Sequence, residues 1–528
     1  MTSRFDTDVL VVGAGPTGLM LANQLARRGV RATILDRHDG PVVETRALGV
    51  QARTLEIYAH LGIERQAIDL GRKAAGANMW VHGRRAAWVP LSDIGRAMSP
   101  YPYVLILGQD DNEKLLGDVL RHSGTTVRWN TELVGLAPES DRIVATVREA
   151  DGALREIPAA WVAGCDGARS AVRELNGIAF PGAPYEHVFF VADTQMTGPM
   201  VPDQLNVYLW RGGFHLFFPM RGADHWRVVG IVPPPLRTKE ALEFDDVSHS
   251  IRQEAGAGLS FHSCSWFSTY RIHHRRAERF RVGRCFVLGD AAHIHSPVGA
   301  QGMNTGLQDA YNLGWKLALV VSGRADPRLL DSYEAERIPV ARHLLATTDR
   351  FFSAAVSDSG LAGFFRTSIF PKILALAMRV DRVRKSAFRT ISQIGIRYRE
   401  SPLSETPAGF PESAPRAGDR FPWLRLNLLP GGAPEDFFGR LDDTRFHLVL
   451  AGQPGPPGDV SGLGDLLRTH VIPADPYNDE ELSRAGIPRP AFYLIRPDGY
   501  VGACGTVLDP GAVSRWVSER LRWRRDSA

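Results

Sequence analysis

The stretch Asp8-Val9-Leu10-Val11-Val12-Gly13-Ala14-Gly15-Pro16-Thr17-Gly18-Leu19 decides how the rest of the chain is read. The apolar run at 9–12 predicts a buried strand, and glycines at 13, 15 and 18 follow it at once. Leu19, Leu21, Ala22, Leu25 and Ala26 then recur at helical spacing. Gly13 permits a tight turn, Gly15 lets backbone approach a pyrophosphate, and Gly18 lets the helix pack closely on the strand. The free N–H groups of the first helical turn would face the phosphates, at the positive end of the macrodipole. A second strand at 32–35 ends on Asp36, about 20 residues past the glycines, where a carboxylate accepts hydrogen bonds from a ribose hydroxyl. Strand, turn, helix and acid in this order predict a dinucleotide site.

A chain of 528 residues predicts two to four domains at roughly 150 residues each. The composition, 44% hydrophobic and 23% charged, supplies a large core, and a net charge of +4 leaves no footprint for a nucleic acid. No segment is expected to span a membrane, and the first strand begins too early for a signal peptide. Cys165, Cys264, Cys285 and Cys504 lie far apart, without CxxC or metal-ligand spacing, which predicts a reduced, cytoplasmic protein.

Further along, a helix is predicted at 52–61, with Arg46 and Arg53 flanking the turn before it. Each is either a solvated arginine or a pyrophosphate contact. A strand pair at 80–90, a strand at 103–107 ending on Gly108-Gln109-Asp110, and a helix at 112–121 follow. Strands at 127–129, 143–148 and 157–163 complete a sheet and lead into Gly164-Cys165-Asp166-Gly167-Ala168-Arg169-Ser170 and then Arg173. That turn gathers a carboxylate, a glycine and two arginines at one sheet end; the plainer alternative is a helix cap by Asp166 with Arg173 solvated.

Between 185 and 270 the pattern becomes repeated strands, clearest around Gly212-Gly213, which reads as a hairpin turn. Pairing about it places Tyr208, Trp210, His215 and Phe217 on one face, and Val207, Leu209, Phe214, Leu216 and Phe218 on the other. The first face, aromatic with polar tips, is expected to line a pocket for a planar ring, the second to be core. A strand at 284–288 delivers Gly289-Asp290, and Gly299-Ala300-Gln301-Gly302-Met303-Asn304 opens a helix at 305–321. His293 and His295 have no ligand partner at metal spacing and read as structural. Helices are expected at 332–347 and 351–385, the latter broken at Pro371. Prolines and glycines at 402–434 read as linker, followed by strands at 446–451, 469–472, 492–495 and 500–503 and a helix at 513–521.

Together, Gly13 to Gly18 with Asp36, the Cys165-Asp166-Gly167 turn with Arg169 and Arg173, and Gly289-Asp290 continuing to Asn304 resemble the class A FAD-dependent aromatic hydroxylases, the family with the p-hydroxybenzoate hydroxylase fold. The likeness covers about residues 5–400. The last part is similar to the thioredoxin-like domain of phenol hydroxylase and aromatic polyketide hydroxylases, but its 452–457 loop lacks cysteine. The resemblance implies an α/β architecture: a GxGxxG FAD-binding Rossmann-like domain (1–180 and, with helices, 281–400), an interleaved β-sheet substrate domain (181–280), a linker (401–414) and a thioredoxin-like domain without CxxC (415–528).

It further implies that Gly13, Gly15, Pro16, Thr17 and Gly18 hold the pyrophosphate of FAD, with Arg46 and Gln109 nearby, Asp36 at the adenosine ribose and Arg37 also among the cofactor-binding residues. Asp290 would bind the ribitol or phosphate part, and Pro297, Gly302, Met303 and Asn304 would line the flavin. Asp166 and its arginines would serve FAD and incoming NAD(P)H, NADPH being commoner than NADH among relatives. In the implied chemistry, NAD(P)H reduces FAD, O2 adds at flavin C4a, and the hydroperoxide hydroxylates an activated ring. His215 and Tyr208 are the expected catalytic residues for the phenol proton, with Pro297 beside the flavin. The expected substrate is an aromatic, phenolic molecule, polycyclic and of polyketide type. A simple phenol or phenylpropionate, a Baeyer-Villiger oxygenation and drug inactivation are the alternatives on this fold. A halogenase is disfavoured by the absence of a tryptophan-rich loop with a catalytic lysine; outside oxygenases stand a geranylgeranyl-type reductase and a structural flavoprotein. A homodimer is the expected assembly.

Overall fold

In the computed structural model the described residues are 7–524, apart from 43–46, 238, 240, 256–257, 296–300, 357–358, 430–431 and 457. The Thr7–Val12 strand is buried along its whole length because it sits in the middle of a mostly parallel sheet covered on both faces. Leu154–Gly164 and Ala32–Leu35 pair parallel on either side of it, Cys285–Val287 lies beyond the former and Val127–Arg128 beyond the latter. Glu132–Pro138 and Ile143–Arg148 form an antiparallel flap on Leu154–Gly164. The Pro16–Ala26 helix packs between the helices Gln109–His122 and Gly302–Val321. Within Gln109–His122, Gly117 has helical backbone and a Cβ there would meet nothing within 4 Å. Gly117→Ala is therefore expected to stabilise the protein by about 1 kcal/mol, read as a raised melting temperature.

The second sheet is built on two long antiparallel strands, Gly182–Thr197 and Ser260–Arg276. Its order is His293–Ile294, Ser260–Arg276, Gly182–Thr197, His225–Ile231, Gly213–Pro219, Leu205–Trp210, Gly76–Val81 and Arg84–Pro90. The strand pair expected near 80–90 thus joins this sheet, although it lies within the first 180 residues. The hairpin turns one residue earlier than the glycine pair predicts: Trp210 pairs with Gly213 and Tyr208 with His215, so Arg211-Gly212 form the turn.

The expected pocket face of that hairpin is the more completely covered of the two. The Phe244–Ala255 helix, which interrupts the strands expected between 185 and 270, lays Val247, Ile251 and Ala255 against Tyr208, Phe217 and Phe190. Tyr208 and His215 are 2% and 0% exposed. The other face, expected to be plain core, buries Leu209 and Phe214 with Phe189 and Ile231 but leaves Val207, Leu216, Phe218, Val229 and Tyr270 only half-buried. An aromatic ring with a polar tip packs under a helix as readily as it lines a pocket, and the covering helix decides between them.

His215 consequently has neither ring nitrogen paired among the described residues, and burial pushes its pKa down to about 3. The unfolded chain takes up a proton below about pH 6.5 that the folded one refuses until about pH 3, so stability falls with pH across that window. The loss reaches about 2 kcal/mol near pH 5. Melting temperature against pH checks this: His215→Leu should flatten the acid limb, and an unchanged limb would contradict it.

In the C-terminal part, Phe446–Ala451 pairs parallel with Leu467–Ile472 and antiparallel with Ala491–Ile495, and Val501–Gly505 closes the edge. The 401–414 stretch lacks regular structure, as expected of a linker, yet Leu403, Phe410 and Ala414 are buried. Buried ion pairs tie this part to the rest: Arg496 donates to Glu336 at 2.6 and 3.0 Å, and Arg420 to Glu56 at 2.5 and 2.9 Å. Arg53 joins the same set, donating to Glu56 at 3.0 Å and to the Asp498 carbonyl at 2.5 Å. It is an interior tie, neither solvated nor at a pyrophosphate.

One stretch departs from the expectation of no membrane-length apolar segment. Gly360–Ala377 has the length and composition, with a mean hydropathy of 1.2, and is mostly unburied. It consists of three consecutive short helices, Gly360–Phe364, Phe365–Ile369 and Phe370–Ala377.

Candidate functional site

Four strand ends stand in one row. Val12 is in register with Leu35 on one side and Gly164 on the other, and Gly164 is in register with Val287. Asp36, the glycine turn, the Cys165-Asp166 turn and the Gly289-Asp290 turn therefore leave the sheet side by side, at the carboxyl edge where parallel sheets bind ligands.

Contacts between these turns admit no side chains at the glycines. Gly13 has φ +101°, and a Cβ on it would lie 2.4 Å from the Cys165 carbonyl oxygen. A Cβ on Gly18 would lie 1.9 Å from the Gly13 carbonyl. Thr17 fills the gap between the other two elements: its Oγ1 is 2.7 and 2.4 Å from where Cβ atoms on Gly289 and Gly306 would stand. Gly15 differs, because a Cβ there would meet only Glu113 Oε1, at 4.0 Å. This open space lies at the start of the Pro16–Ala26 helix, which no side chain caps, so the first-turn N–H groups of Thr17 and Gly18 have no intrahelical acceptor. An anion of pyrophosphate size suits that place.

Around it, the Asp36 carboxylate accepts from the Ala14 N–H at 2.7 Å and the His38 N–H at 2.9 Å, which fixes it against the turn. Arg37 is exposed beside it. Gln109 donates to Glu113 Oε1 at 2.8 Å, and the Val42 N–H donates to Oε2 at 3.1 Å. Burial pushes the Glu113 carboxyl up. Glu113 belongs to no sequence motif, although its place four residues after Gln109 puts both on one helix face. Asp166 Oδ2 accepts the Val172 N–H at 3.1 Å, while Oδ1 is buried without a partner among the described residues. A ligand hydroxyl would satisfy it. Both observations fit a bound dinucleotide. Arg173 is buried, donating to Ala291 O at 3.1 Å and Ala168 O at 2.9 Å, so it joins two turns and is not solvated; Arg169 is exposed. Arg46 and Pro297 lie outside the described residues.

On the other side, Asp290 is exposed at its turn, and Gly302 and Met303 are half-buried at the helix start. The Asn304 side chain faces protein: it accepts from the Gln51 N–H at 2.9 Å and the Thr54 hydroxyl at 2.7 Å and donates to Gly49 O at 2.8 Å. It pins residues 49–54 to the Gly302–Val321 helix, leaving only its backbone for a flavin.

Nothing in the sequence marks the group that holds the Gly289 turn. Asp309 accepts the Gly289 N–H at 3.0 Å, His293 Nε2 at 2.7 Å and Arg337 Nε at 2.5 Å. Burial alone would raise the Asp309 carboxyl, but Arg337 and His293 outweigh it and hold it below its usual range. His293 is structural, and no group of residues suited to a metal ion occurs among the described residues.

Comparison with known proteins agrees with this geometry. Residues 6–348 match the family described as FAD binding domain. The chain is 33% identical to 6-methylpretetramide 4-monooxygenase of Streptomyces rimosus, over 94% of this chain and 90% of that one. It is 35% identical to rifampicin monooxygenase of Streptomyces venezuelae, over 74% and 79%. Among solved structures, the anhydrotetracycline hydroxylase OxyS of Streptomyces rimosus superposes with a TM-score of 0.78 at 29% identity, covering 97% of this chain and 99% of that one. With a family match over most of the chain, relatives along nearly its whole length and a site shaped for a dinucleotide, the protein belongs to the FAD-dependent aromatic monooxygenases.

Proposed function

We propose that this monooxygenase hydroxylates a polycyclic phenol, with NAD(P)H as reductant, on the half-open face of the second sheet. The observation that carries this is the face itself: Val207, Leu216, Phe218, Val229 and Tyr270 form an apolar floor that stays half-buried although Phe370, Met378 and Phe388 pack along it, whereas Phe244–Ala255 seals the other side. One end of it, at Leu205, Phe218 and Met220, packs with Leu48, Ala52 and Ile394, next to the residues 49–54 that Asn304 pins. The floor therefore borders the cofactor side of the molecule. Relatives named for tetracycline-type and rifampicin substrates support a large ring system.

In this reading, residues 13–18, Asp36, Arg37, Arg46, Gln109, Asp166 and Asp290 would hold FAD, and Pro297 with the backbone of Gly302, Met303 and Asn304 would hold its ring end. Bound FAD supplies electron transfer from NAD(P)H and the activation of dioxygen. The chain's own contribution is to bind the ring flat, exclude water and orient its hydroxyl. Tyr270 suits the orienting role, because burial pushes its phenol up to about 12, so it stays protonated and donates a hydrogen bond. Arg227 and Asp193, on the same face, neutralise each other through contacts of 2.6 and 2.5 Å, which keeps the floor suited to an uncharged ring. His215 and Tyr208, sealed beneath the helix, take no part in proton transfer here. The C-terminal sheet is read as the thioredoxin-like unit of the resemblance, without redox chemistry, since its Cys504 is buried and no disulfide is present among the described residues.

The test is NAD(P)H oxidation across polycyclic phenols, simple phenols and ketones, with Leu216→Trp as the variant. Polycyclic phenols should stimulate oxidation, and the added bulk should reduce that stimulation about tenfold or more while leaving bound FAD and unstimulated oxidation unchanged. Undiminished stimulation in Leu216→Trp would remove the substrate from this face.

A further inference from the structure

We propose that the outer face of the helices at 359–391 docks on an anionic lipid surface. Their inner face is held by the protein: Phe388 and Met378 are buried, and Arg366 donates to the carbonyls of Trp210 and Arg211 at 3.3 and 2.7 Å. The outer face is apolar and uncovered. Leu361 is 86% exposed, Leu376 66%, Phe364 56%, Ile373 53% and Val380 52%. A run of large apolar side chains this exposed marks an interaction surface.

The charge of the segment identifies what it meets. Residues 359–391 contain seven arginines and lysines against one acid, Asp381, whereas the whole chain has a net charge of only +4. The basic excess of this one segment is thus larger than that of the entire 528-residue protein, and it lies among the exposed apolar side chains Leu361, Ile373 and Leu376. Arg384 and Lys385 are taken up by Asp381, both at 2.8 Å. Lys372, Arg379, Arg382 and Arg389 are exposed and have no ion-pair partner among the described residues. Apolar side chains entering an acyl boundary, with cations at headgroup level, are the pattern of an interfacial helix. A second copy on this face would set like charge against like. Because the same helices pack through Phe370 against the half-open sheet face, docking would bring its edge to the lipid in which a polycyclic ring dissolves. Lipid binding itself does not depend on the substrate reading.

The experiment is flotation of the FAD-loaded protein with vesicles of phosphatidylcholine alone or containing phosphatidylglycerol, without substrate, and light scattering of the same samples. Binding is expected only with phosphatidylglycerol and should weaken at high salt. Arg382→Glu and Arg389→Glu should each weaken it by about fivefold or more. Leu361→Ser with Leu376→Ser should weaken it at any salt concentration. Flavin content and melting temperature should stay at their original values in all of these variants. Equal flotation on both vesicles, no flotation, or a dimer that disappears in Leu361→Ser with Leu376→Ser would overturn the proposal; the last would assign the face to a second copy.

Discussion

Replacing Gly18 by valine is expected to leave a protein that purifies without flavin colour. A Cβ at this position stands 1.9 Å from the Gly13 carbonyl, and that carbonyl belongs to backbone already held against Cys165. Neither partner can yield alone, because Gly13 sits at φ +101° and meets the Cys165-Asp166 turn. The valine therefore forces the helix off the strand and opens the place where the first-turn N–H groups converge. Overpacking of this kind costs about 3 kcal/mol or more, on the order of a hundredfold in affinity for FAD. Visible absorbance of the purified protein and titration with added FAD read the effect. Gly117→Ala, in a helix with room for the methyl group, is the matched control and should bind FAD normally.

Asp309→Ala should have the largest effect on folding. It leaves the fully buried Arg337 charge with only the Tyr398 hydroxyl and the Thr305 carbonyl as partners, and frees His293 and the Gly289 N–H at the same time. Removing one partner of a buried pair costs roughly 3–5 kcal/mol. An exposed pair behaves differently: Asp381→Ala, which loses Arg384 and Lys385 at the surface, should leave the unfolding midpoint almost unchanged. Denaturant unfolding of both variants checks the contrast. The pH dependence has a definite sign. Because the Asp309 carboxyl is held below its usual range, its contribution is present above the ordinary carboxylate pKa and lost as the solution is acidified through its depressed value. The buried His215 acts in the same direction at milder acidity, so stability should fall from about pH 6.5 downward and fall further in the carboxylate range.

What the sequence discloses and what it hides follow from the range of the interactions. The strand ends at Val12, Gly164 and Val287 are readable because each is marked locally, by an apolar run and the glycine or aspartate after it. That the three ends share one row follows from parallel pairing. The hairpin is readable as a pair of strands with the right residues on each face, but which face is sealed is not: the deciding element, Phe244–Ala255, lies well downstream. Its apolar positions 244, 247, 251 and 255 with acids at 245 and 246 do carry a helical period, masked by the strands on either side. Asn304 resembles a flavin contact because it opens a helix, and only the fold shows its amide spent on Gly49, Gln51 and Thr54. Arg53, Glu336, Arg337 and Arg496 are invisible as a group, since buried ion pairs join residues that no sequence spacing relates.

The same buried pairs change the meaning of the C-terminal part. Arg496 to Glu336, Arg420 to Glu56 and Arg27 to Asp443 each cross from it to the FAD-binding part. A stretch rich in proline and glycine here leads into a C-terminal part that is seated on the rest of the protein.

Whether oxygen enters an aromatic ring bound on the half-open sheet face is read from the mass of the product formed from a polycyclic phenol under ¹⁸O2 by the FAD-loaded enzyme with NAD(P)H. The expected product carries a single labelled oxygen on its ring, forms in step with NAD(P)H consumption and is lost in Leu216→Trp. A product labelled only from water, or NAD(P)H oxidation indifferent to every aromatic compound offered, would contradict this mechanism.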